Sequence, residues 1–388
     1  MKSIELFSGA GGLALGLESA GCRHAALVEF NRAACQTIRY NIGRAQPLVK
    51  DWNLYEGDVR NFVFNRIVKD IDLVAGGPPC QPFSLGGKAQ GMMDARDMFP
   101  EAVRSVRELA PKYFIFENVK GLLRKSFVSY FNYIILQLSY PLLLRKKSET
   151  WIDHLARLER VRTSGQKQHL AYNVVYRLLD AADYGISQHR HRVFIVGFRS
   201  DLGVEWSFPE ATHSAERLIW DKWISGDYWK EHDIPITKRP VLSSEMKAKV
   251  LSLERIYKNS EPRLFRYQTV RDAIGDLPNP EERNSIPNHE FRSGARVYKG
   301  HTGSLWDEPS KALKAGAHGV PGGENMLVFP DGRCRYYTAR EAARIQTFPD
   351  DYIFASSWTE SMRQIGNAVP VRLAEIVGRS VLLQGVKG

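Results

Sequence analysis

Short apolar runs alternate with glycine-rich or amphipathic segments along the first 200 residues. The run SIELF from Ser3 predicts a strand, FSGAGG a glycine-rich turn, and LALGLESAG a helix that ends at Gly21. A second apolar run, HAALVEF, predicts another strand. Strand, glycine turn, helix and strand in this order are typical of a βαβ unit. The pattern therefore predicts an α/β fold with a doubly wound sheet.

Further apolar runs continue this sheet. Strands are predicted at IDLVAGG from Ile71, at Tyr113–Glu117 (YFIFE) and at Val193–Phe198 (VFIVGF), with parallel organisation to about Phe198. The stretch NVVYRLLDAADYG before the last run reads as helix or strand. Near the end, SMRQIGNAVPVRLAEIVGRSVLL has the apolar spacing of a helix that packs back on the first domain.

The composition changes after Ser200. Tryptophans, charges and prolines become frequent, and a glycine-rich stretch follows at Ala315–Asn325. The chain has 388 residues, which favours two domains over one. We predict a first domain of residues 1–200 plus 352–388, and a second domain of residues 201–351.

An uncharged stretch, FVSYFNYIILQLSYPLLL at 127–144, is nearly long enough to cross a bilayer. Its polar residues argue against a span, which would also divide the predicted site between two sides of a membrane. We therefore expect a core or partner-facing helix and no membrane contact. The charged run at 145–168 has no strong apolar periodicity, which predicts a surface insertion that either touches phosphate or is simply solvated.

Charge and cysteine usage narrow the class of protein. The net charge of +11 suits a polyanionic partner such as nucleic acid. The four cysteines have no paired spacing, and no secretory leader precedes the first strand, which predicts a cytoplasmic protein without disulfides. Since no Cys/His cluster has zinc-ligand spacing, no metal is expected.

The first glycine turn has the spacing of a nucleotide site. Gly9, Gly11 and Ala14 fit a permissive dinucleotide pattern, in which glycines let the backbone approach a ligand at a helix N-terminus. Glu29 ends the second predicted strand about twenty residues later, where an acid can accept hydrogen bonds from ribose hydroxyls. Asp58, in a turn, is placed to accept from an adenine amino group. These features predict an adenosine-containing ligand.

A thiol follows the strand at Ile71. In GGPPCQPFS, prolines on both sides stiffen the backbone around Cys80, just beyond the carboxyl end of the strand where α/β sheets build their ligand crevice. A buried structural cysteine is the alternative for this loop taken alone. A carboxylate, Glu117, ends a neighbouring strand. A thiol and a carboxylate placed together are suited to attack on a cytosine ring. A thiolate that adds to C6 activates C5 toward a sulfonium methyl donor. A carboxyl group hydrogen-bonded to N3 and the exocyclic amine favours this adduct.

Two arginines complete the predicted chemistry. Arg190 and Arg192, in QHRHR, are candidates for lowering the pKa of the thiol or holding the ring oxygen, while one of them braces the loop. The alternative for both arginines is a solvent-exposed position with no role in the site.

In these motifs the chain resembles the bacterial C5-cytosine DNA methyltransferases. FSGAGGLALGLESAG, GGPPCQPFS, ENV, QHRHR and QIGNAVPV are similar to five family motifs in order and spacing, over nearly the whole chain. The resemblance implies a Rossmann-like, class I S-adenosylmethionine-dependent methyltransferase domain with a smaller, variable target-recognition domain. It implies Cys80 as nucleophile, with Glu117, Arg190 and Arg192 as its catalytic partners. The implied cofactor residues are Phe7, Ser8, Gly9, Ala10, Gly11, Gly12, Glu29, Phe30, Asp58, Val59, Pro79, Asn367 and Ala368, and the implied substrate residues are Gln81, Ser84 and Asn118.

The resemblance also implies partners. Double-stranded DNA is the expected substrate, with the target cytosine flipped out of the helix. Gly86, Gly87 and Gly91 are expected to let the catalytic loop close over the flipped base, with simple surface slack as the alternative. The resemblance assigns the region after Phe198 to target recognition, with a hinge formed by RYYTAREAARIQTFPDDY. A cognate restriction endonuclease acting separately, a monomeric state and a role in restriction-modification are further expectations.

The sequence departs from the family in two places and leaves other functions open. Ala312 stands where a family Thr-Leu pair normally begins, and the insertion between ENV and QHRHR is long. Methylation of cytosine in transfer RNA is the first alternative. A non-catalytic nucleic-acid binder is the second, and a nicotinamide oxidoreductase, which leaves the thiol unexplained, is the third.

Overall fold

A seven-stranded sheet forms the centre of the molecule. The computed structural model describes residues 1–64, 69–79, 97–258, 260–315 and 325–384. The strand order in the large sheet is β3-β2-β1-β4-β5-β7-β6. Its strands are β1 (Lys2–Leu6), β2 (Arg23–Glu29), β3 (Leu54–Glu56), β4 (Leu73–Gly76), β5 (Tyr113–Val119), β6 (Tyr172–Asp180) and β7 (His191–Arg199).

The predicted α/β class is confirmed, but the predicted parallel organisation to Phe198 is wrong for β7, which runs opposite to the other six strands. β1 to β5 pair in parallel, whereas β7 runs antiparallel to both β5 and β6. The physical reason is the short connection, a single turn at 181–190, which can join only antiparallel neighbours because a parallel crossover needs a longer link. The ambiguous stretch NVVYRLLDAADYG is strand β6 followed by a 3-10 turn.

Twelve helices lie in the described residues. They are α1 (Gly12–Ala20), α2 (Arg32–Gly43), α3 (Phe99–Leu109), α4 (Val128–Ser139), α5 (Trp151–Ser164), α6 (Ala215–Trp223), α7 (Asp227–Glu231), α8 (Ser244–Tyr257), α9 (Val270–Ile274), α10 (Ala339–Ile345), α11 (Trp358–Asn367) and α12 (Val371–Leu382). Two small sheets accompany them, β8 (His213–Ser214) with β9 (Phe265–Arg266), and β10 (Ser304–Leu305) with β11 (Met326–Val328) and β12 (Cys334–Tyr336).

The uncharged stretch at 127–144 contains the core helix α4, which buries Phe131, Ile134 and Leu138. Within the described residues, no helix is both long and apolar enough to span a bilayer. The charged run that follows is largely exposed, but it contains a helix that the weak periodicity did not predict. A capping box between Thr150 and Asp153 begins α5, because each side chain bonds the other residue's backbone amide.

The end of the chain folds back on the first part of the chain, as predicted, but as two helices, and the contact is with α1. α11 ends at Asn367, and a turn through Ala368 and Pro370 starts α12. α12 packs closely on α1, where Gly16 leaves no room for a side chain.

A second apolar cluster joins α1 and α2 to α9, α10 and Phe354, so one core extends across the predicted division at residue 352. The domain division itself stays a prediction.

The close packing of α1 on α12 yields a stability prediction. A Cβ at Gly16 would press on the Val371 carbonyl oxygen and lie 2.5 Å from the Ala374 Cβ. We expect Gly16→Ala to lower the free energy of unfolding by about 1–3 kcal/mol, measured by urea denaturation. Gly43→Ala is the control, because a Cβ there meets open space and helix propensity favours alanine by up to about 1 kcal/mol. Equal stability of both variants would contradict the close packing.

Candidate active site

The glycine turn after β1 has an unusual backbone conformation. Phe7, Gly9 and Gly11 all have positive φ, of 57°, 54° and 84°. Phe7 carries a side chain in this conformation, a strain that functional sites often hold. The turn also packs tightly from behind, because a Cβ at Gly12 would lie 2.6 Å from the Val369 carbonyl oxygen. The turn is therefore shaped by α1 and by the turn between α11 and α12.

Glu29 closes the side of this turn at the end of β2. Its carboxylate accepts hydrogen bonds from the amides of Gly9 at 2.7 Å and Asn31 at 2.6 Å. Burial raises the pKa of Glu29, and the bonds from the Asn31 and Gly9 amides oppose that rise. Next to it the Phe30 ring is 75% exposed and faces the cleft, free to stack on a planar ligand. Glu29 and Phe30 thus form a wall with a polar and an aromatic part.

Asp58 lies at the same edge, after β3. Its carboxylate caps the following turn through the Arg60 amide and also binds the Arg60 guanidinium, which lowers the pKa of Asp58. The side chain borders the cleft, but the contacts it makes in the structure are with Arg60. An adenine amino group would share this carboxylate with Arg60.

A cleft of about 1320 Å³ joins these groups to the ends of β4, β5 and β7. Two buried oxygens in its lining, the Ser8 hydroxyl and Glu5 Oε2, have no hydrogen-bond partner among the described residues. Buried polar atoms without partners are rare in folded proteins, and here they point to a polar ligand. The predicted site residues that border the cleft are Phe7, Ser8, Gly9, Ala10, Gly12, Glu29, Phe30, Asp58, Val59, Pro79, Glu117, Asn118, Arg190, Arg192, Asn367 and Ala368.

Gly11 differs from the other predicted cofactor residues. It does not border the cleft, and a Cβ there would lie 3.0 Å from the Trp52 ring. Its positive φ ends the turn and starts α1, so it shapes the site from behind.

Glu117 and Arg192 form a buried ion pair at the cleft floor. Arg192 Nε lies 2.6 Å from Glu117 Oε1, and both side chains are nearly buried. The antiparallel register sets this contact, because Val119 pairs with Arg192 and Glu117 lies two residues earlier on the same face of β5. Burial raises the pKa of Glu117, and the charges of Arg192 and Arg190 oppose the rise. The carboxyl is therefore easier to protonate than an ordinary glutamate.

Arg190 binds backbone and not Glu117. Its guanidinium donates to the carbonyl oxygens of Leu313 at 2.8 Å, Gly366 at 2.5 Å and Ala368 at 2.8 Å. The side chain is 1% exposed, and burial lowers its pKa well below the usual arginine value. Of the two arginines, Arg190 has the bracing geometry and Arg192 the contact with the carboxylate.

Glutamines extend this bracing in the same layer. Gln188 accepts from the Leu313 amide at 2.9 Å and donates to Gln346, which in turn donates to the Ile365 carbonyl at 2.7 Å. The segment that holds Ala312 is thereby fixed to the wall at Ala368. Neither glutamine was predicted as a site residue, although Gln188 begins the QHRHR motif.

The nucleophile loop is described only at its ends. Cys80, Gln81, Ser84, Gly86, Gly87 and Gly91 lie outside the described residues. Before them, Asn118 donates to the Pro78 carbonyl oxygen at 2.9 Å, so its amide fixes the start of the loop. Gly77 sits against the carboxylate, since a Cβ there would lie 3.2 Å from Glu117 Oε2. In the sequence, Cys80 follows Gly77 by three positions.

Sequence reasoning missed Glu5 as a cleft residue. It is 1% exposed on β1, and burial raises its pKa well above the usual value. The available signal was an acid inside an apolar strand, which is costly to bury without a function.

The geometry agrees with comparisons to known proteins. The profile of the C-5 cytosine-specific DNA methylases matches residues 1–140 and 165–382. This chain belongs to that family. Type II methyltransferase M.NgoMIV of Neisseria gonorrhoeae is 34% identical over 398 residues, covering 98% of this chain and 96% of that protein. Type II methyltransferase M.FnuDI of Fusobacterium nucleatum is 30% identical, with coverage of 98% and 94%.

Solved structures share the fold of this methylase. The S. pombe Dnmt2 methyltransferase aligns with a TM-score of 0.58 at 17% identity, covering 100% of both chains. The Entamoeba histolytica methyltransferase EhMeth aligns with a TM-score of 0.56 at 14% identity, covering 100% of this chain and 99% of that one. The predicted Rossmann-like methyltransferase fold is confirmed.

The Arg190 contacts yield a second prediction. Arg190→Lys leaves a single ammonium for three carbonyl oxygens, so we expect about 2–4 kcal/mol less stability and a larger rise in the KM for cofactor than fall in kcat. Urea denaturation and steady-state kinetics measure both. Arg177→Lys is the control, because Arg177 is exposed and makes only a 3.7 Å ion pair with Glu210. A purely catalytic Arg190 would instead lower kcat at unchanged stability.

Proposed function

We propose that this chain transfers a methyl group from S-adenosylmethionine to C5 of a flipped-out cytosine in a specific double-stranded DNA sequence, through a covalent bond from Cys80 to C6. The observation that carries the proposal is the Glu117–Arg192 pair at the floor of a cleft whose other wall is the glycine turn. A methyl donor and a base bound in one cleft meet near the nucleophile loop. Family membership supports the reaction class.

The cofactor fits the chemistry of the first half of the cleft. The Phe30 ring would stack on the adenine, Asp58 would accept from its amino group, and Glu29 would accept from the ribose hydroxyls. The remaining predicted cofactor residues, with the unpartnered Ser8 hydroxyl and Glu5 carboxyl, would line the rest of the pocket. When bound, S-adenosylmethionine supplies an electrophilic methyl group.

The chain's own residues carry the other steps. The Cys80 thiolate adds to C6 of the ring, and the electron density moves toward C5 as the Glu117 carboxyl donates a hydrogen bond to N3. Arg192 orients that carboxyl, and Asn118 holds the loop that carries the thiol. C5 takes up the methyl group, which would leave S-adenosylhomocysteine as the product. The C5 proton then passes to water, and elimination breaks the bond between sulfur and C6 and returns the Cys80 thiolate. Arg190 is reassigned in this proposal from a catalytic to a positioning role.

The biological setting follows from the relatives. Type II methyltransferases support a modification enzyme of a restriction-modification system, with a restriction endonuclease acting separately, in the bacterial cytoplasm. Residues 201–351 would serve as the target-recognition domain and hinge, and the enzyme would act as a monomer without a metal. Cytosine methylation in RNA is the competing reading. Bisulfite sequencing of DNA from cells that express the chain would give the target sequence.

The nucleophile prediction is tested with labelled cofactor. Cys80→Ala should abolish transfer of tritiated methyl to duplex DNA and leave cofactor binding intact, because the cofactor walls do not depend on the thiol. A duplex containing 5-fluorocytosine should become permanently attached to the wild-type protein and not to the variant. Offering transfer RNA in parallel decides the substrate. Unchanged turnover by Cys80→Ala would remove the mechanism.

The carboxyl prediction is tested through pH. A raised pKa keeps Glu117 protonated to higher pH, so its donation to N3 is present below that pKa and is lost as pH rises through it. Glu117→Gln should lower kcat by about 10²–10⁴-fold and remove this alkaline limb from the pH profile. Glu56→Gln, at the exposed end of β3, is the control and should leave the profile unchanged. An alkaline limb that persists in Glu117→Gln would assign the titration to another group.

A further inference from the structure

Residues 141–164 are the internal segment that the family profile leaves unmatched. They follow α4 and include α5, which closes against α4 before β6 begins. Three consecutive cations, Arg145, Lys146 and Lys147, lie in this segment and are exposed. The family's shared chemistry therefore does not account for this charge.

Ring contacts place the start of α5 beside the start of α4. The Trp151 ring centroid lies 6.4 Å from that of Tyr130 and 5.8 Å from that of Tyr133, and the Tyr133 hydroxyl is 2.8 Å from His154 Nδ1. α4 begins just after the carboxyl end of β5, where Glu117 lies. The inserted chain thus returns to the edge of the sheet that carries the site.

The cationic stretch is anchored on both sides. His154 Nε2 is 2.7 Å from the Leu143 carbonyl oxygen, while Arg157 binds the Leu144 carbonyl oxygen and the Glu149 carboxylate, each at 2.7 Å. Burial raises the pKa of Tyr133, and the charge of Arg145 opposes that rise, which agrees with a position close to α4. Because Arg157 neutralises Glu149, that acid does not cancel the neighbouring cations.

More cations lie beside the cleft, on the chain that leads from β5 to α4. Lys120, Arg124 and Lys125 lie on the turns between β5 and α4, and the first two border the cleft. We name the basic ridge as Lys120, Arg124, Lys125, Arg145, Lys146 and Lys147. All six are exposed, and none has an ion pair with another described residue. Such a ridge concentrates positive charge beside the opening where a base must enter.

The Tyr130 hydroxyl also bonds the Asp97 carboxylate. Asp97 is the first described residue after the nucleophile loop, and its carboxylate accepts a hydrogen bond from the Phe99 amide at the start of α3, at 3.1 Å. Trp151 of the inserted segment therefore packs against Tyr130, the residue that contacts the end of the catalytic loop.

We propose that the inserted part of the basic ridge, Arg145 to Lys147, binds phosphates of the DNA duplex that flanks the target base pair. The inference rests on the proposed function and adds to it a contact surface outside the family's shared segments. Duplex DNA carries one negative charge for about every 1.7 Å of its axis, so exposed, uncancelled cations at the same edge of the sheet as the cleft match its backbone. Such contacts position the duplex and carry no base information.

Salt dependence of DNA binding tests the proposal. The probe is a duplex that extends two helical turns on each side of the target sequence, bound in the presence of S-adenosylhomocysteine. In the triple variant Arg145→Gln, Lys146→Gln, Lys147→Gln, the slope of log affinity against log salt should shrink by about 0.9 for each phosphate contact removed. The affinity for S-adenosylhomocysteine and the kcat at saturating DNA should stay unchanged.

A matched control changes three cations at the opposite edge of the sheet, Arg44→Gln, Lys50→Gln and Lys69→Gln. They precede β3 or β4, are exposed, and have no ion pair within the described residues. This control should keep the wild-type slope, as should Lys146→Arg with Lys147→Arg, which preserves charge.

Two outcomes would overturn the inference. One is an equal slope in the ridge variant and the wild type. The other is an equal loss of affinity on a duplex cut back to half a turn on each side, because flanking contacts cannot form there. Failure of the wild-type protein to label any DNA would instead overturn the proposed function, so the two failures are distinguishable.

Discussion

The buried guanidinium of Arg190 is the interaction on which the site depends. Its N–H groups donate to three carbonyl oxygens on two stretches of chain that are distant in sequence. One stretch contains Leu313, and the other contains Gly366 and Ala368. Burying an arginine is costly unless its donors are used, so these carbonyls and this side chain determine one another's position. The cofactor wall and the segment leading to the recognition region consequently share one anchor, which is fixed to β7.

Arg190 lies just before β7 and Arg192 lies within it, and the two side chains have different partners. Arg192 lies against Glu117, where two opposite charges are withdrawn from water together. Burial favours the neutral carboxyl, while the arginine favours the ionised one, and the balance leaves a group that can exchange a proton. The antiparallel turn of β7 is therefore needed for the chemistry, because it brings the basic motif across from the carboxylate.

Close approach of backbones is the second condition for the site. Gly12 and Gly366 each face a backbone that a Cβ would strike, Gly12 at the Val369 carbonyl and Gly366 at the Ala315 amide. These two contacts draw the first helix, the last two helices and the segment after Leu313 into one wall. The cleft is thus built by segments that are far apart in sequence. The insertion at 141–164 lies outside these contacts, so it adds positive charge without changing the cleft.

The sequence by itself determined the local secondary-structure elements and the types of residue that carry the chemistry. Short apolar runs, the glycine turn and the Gly21 cap specified β1, α1 and β2, because strand and helix periodicities and the φ of glycine are local properties. The motif order indicated the family, and the types of residue around Cys80 and Glu117 indicated the reaction. Tertiary structure decided the reversed direction of β7, the helix in the insertion and the break between α11 and α12. It also decided which arginine braces backbone and which meets the carboxylate, and it brought Glu5, Gln188 and Gln346 into the site. Those outcomes depend on strand register and on burial between residues as much as 178 positions apart, which no local pattern records.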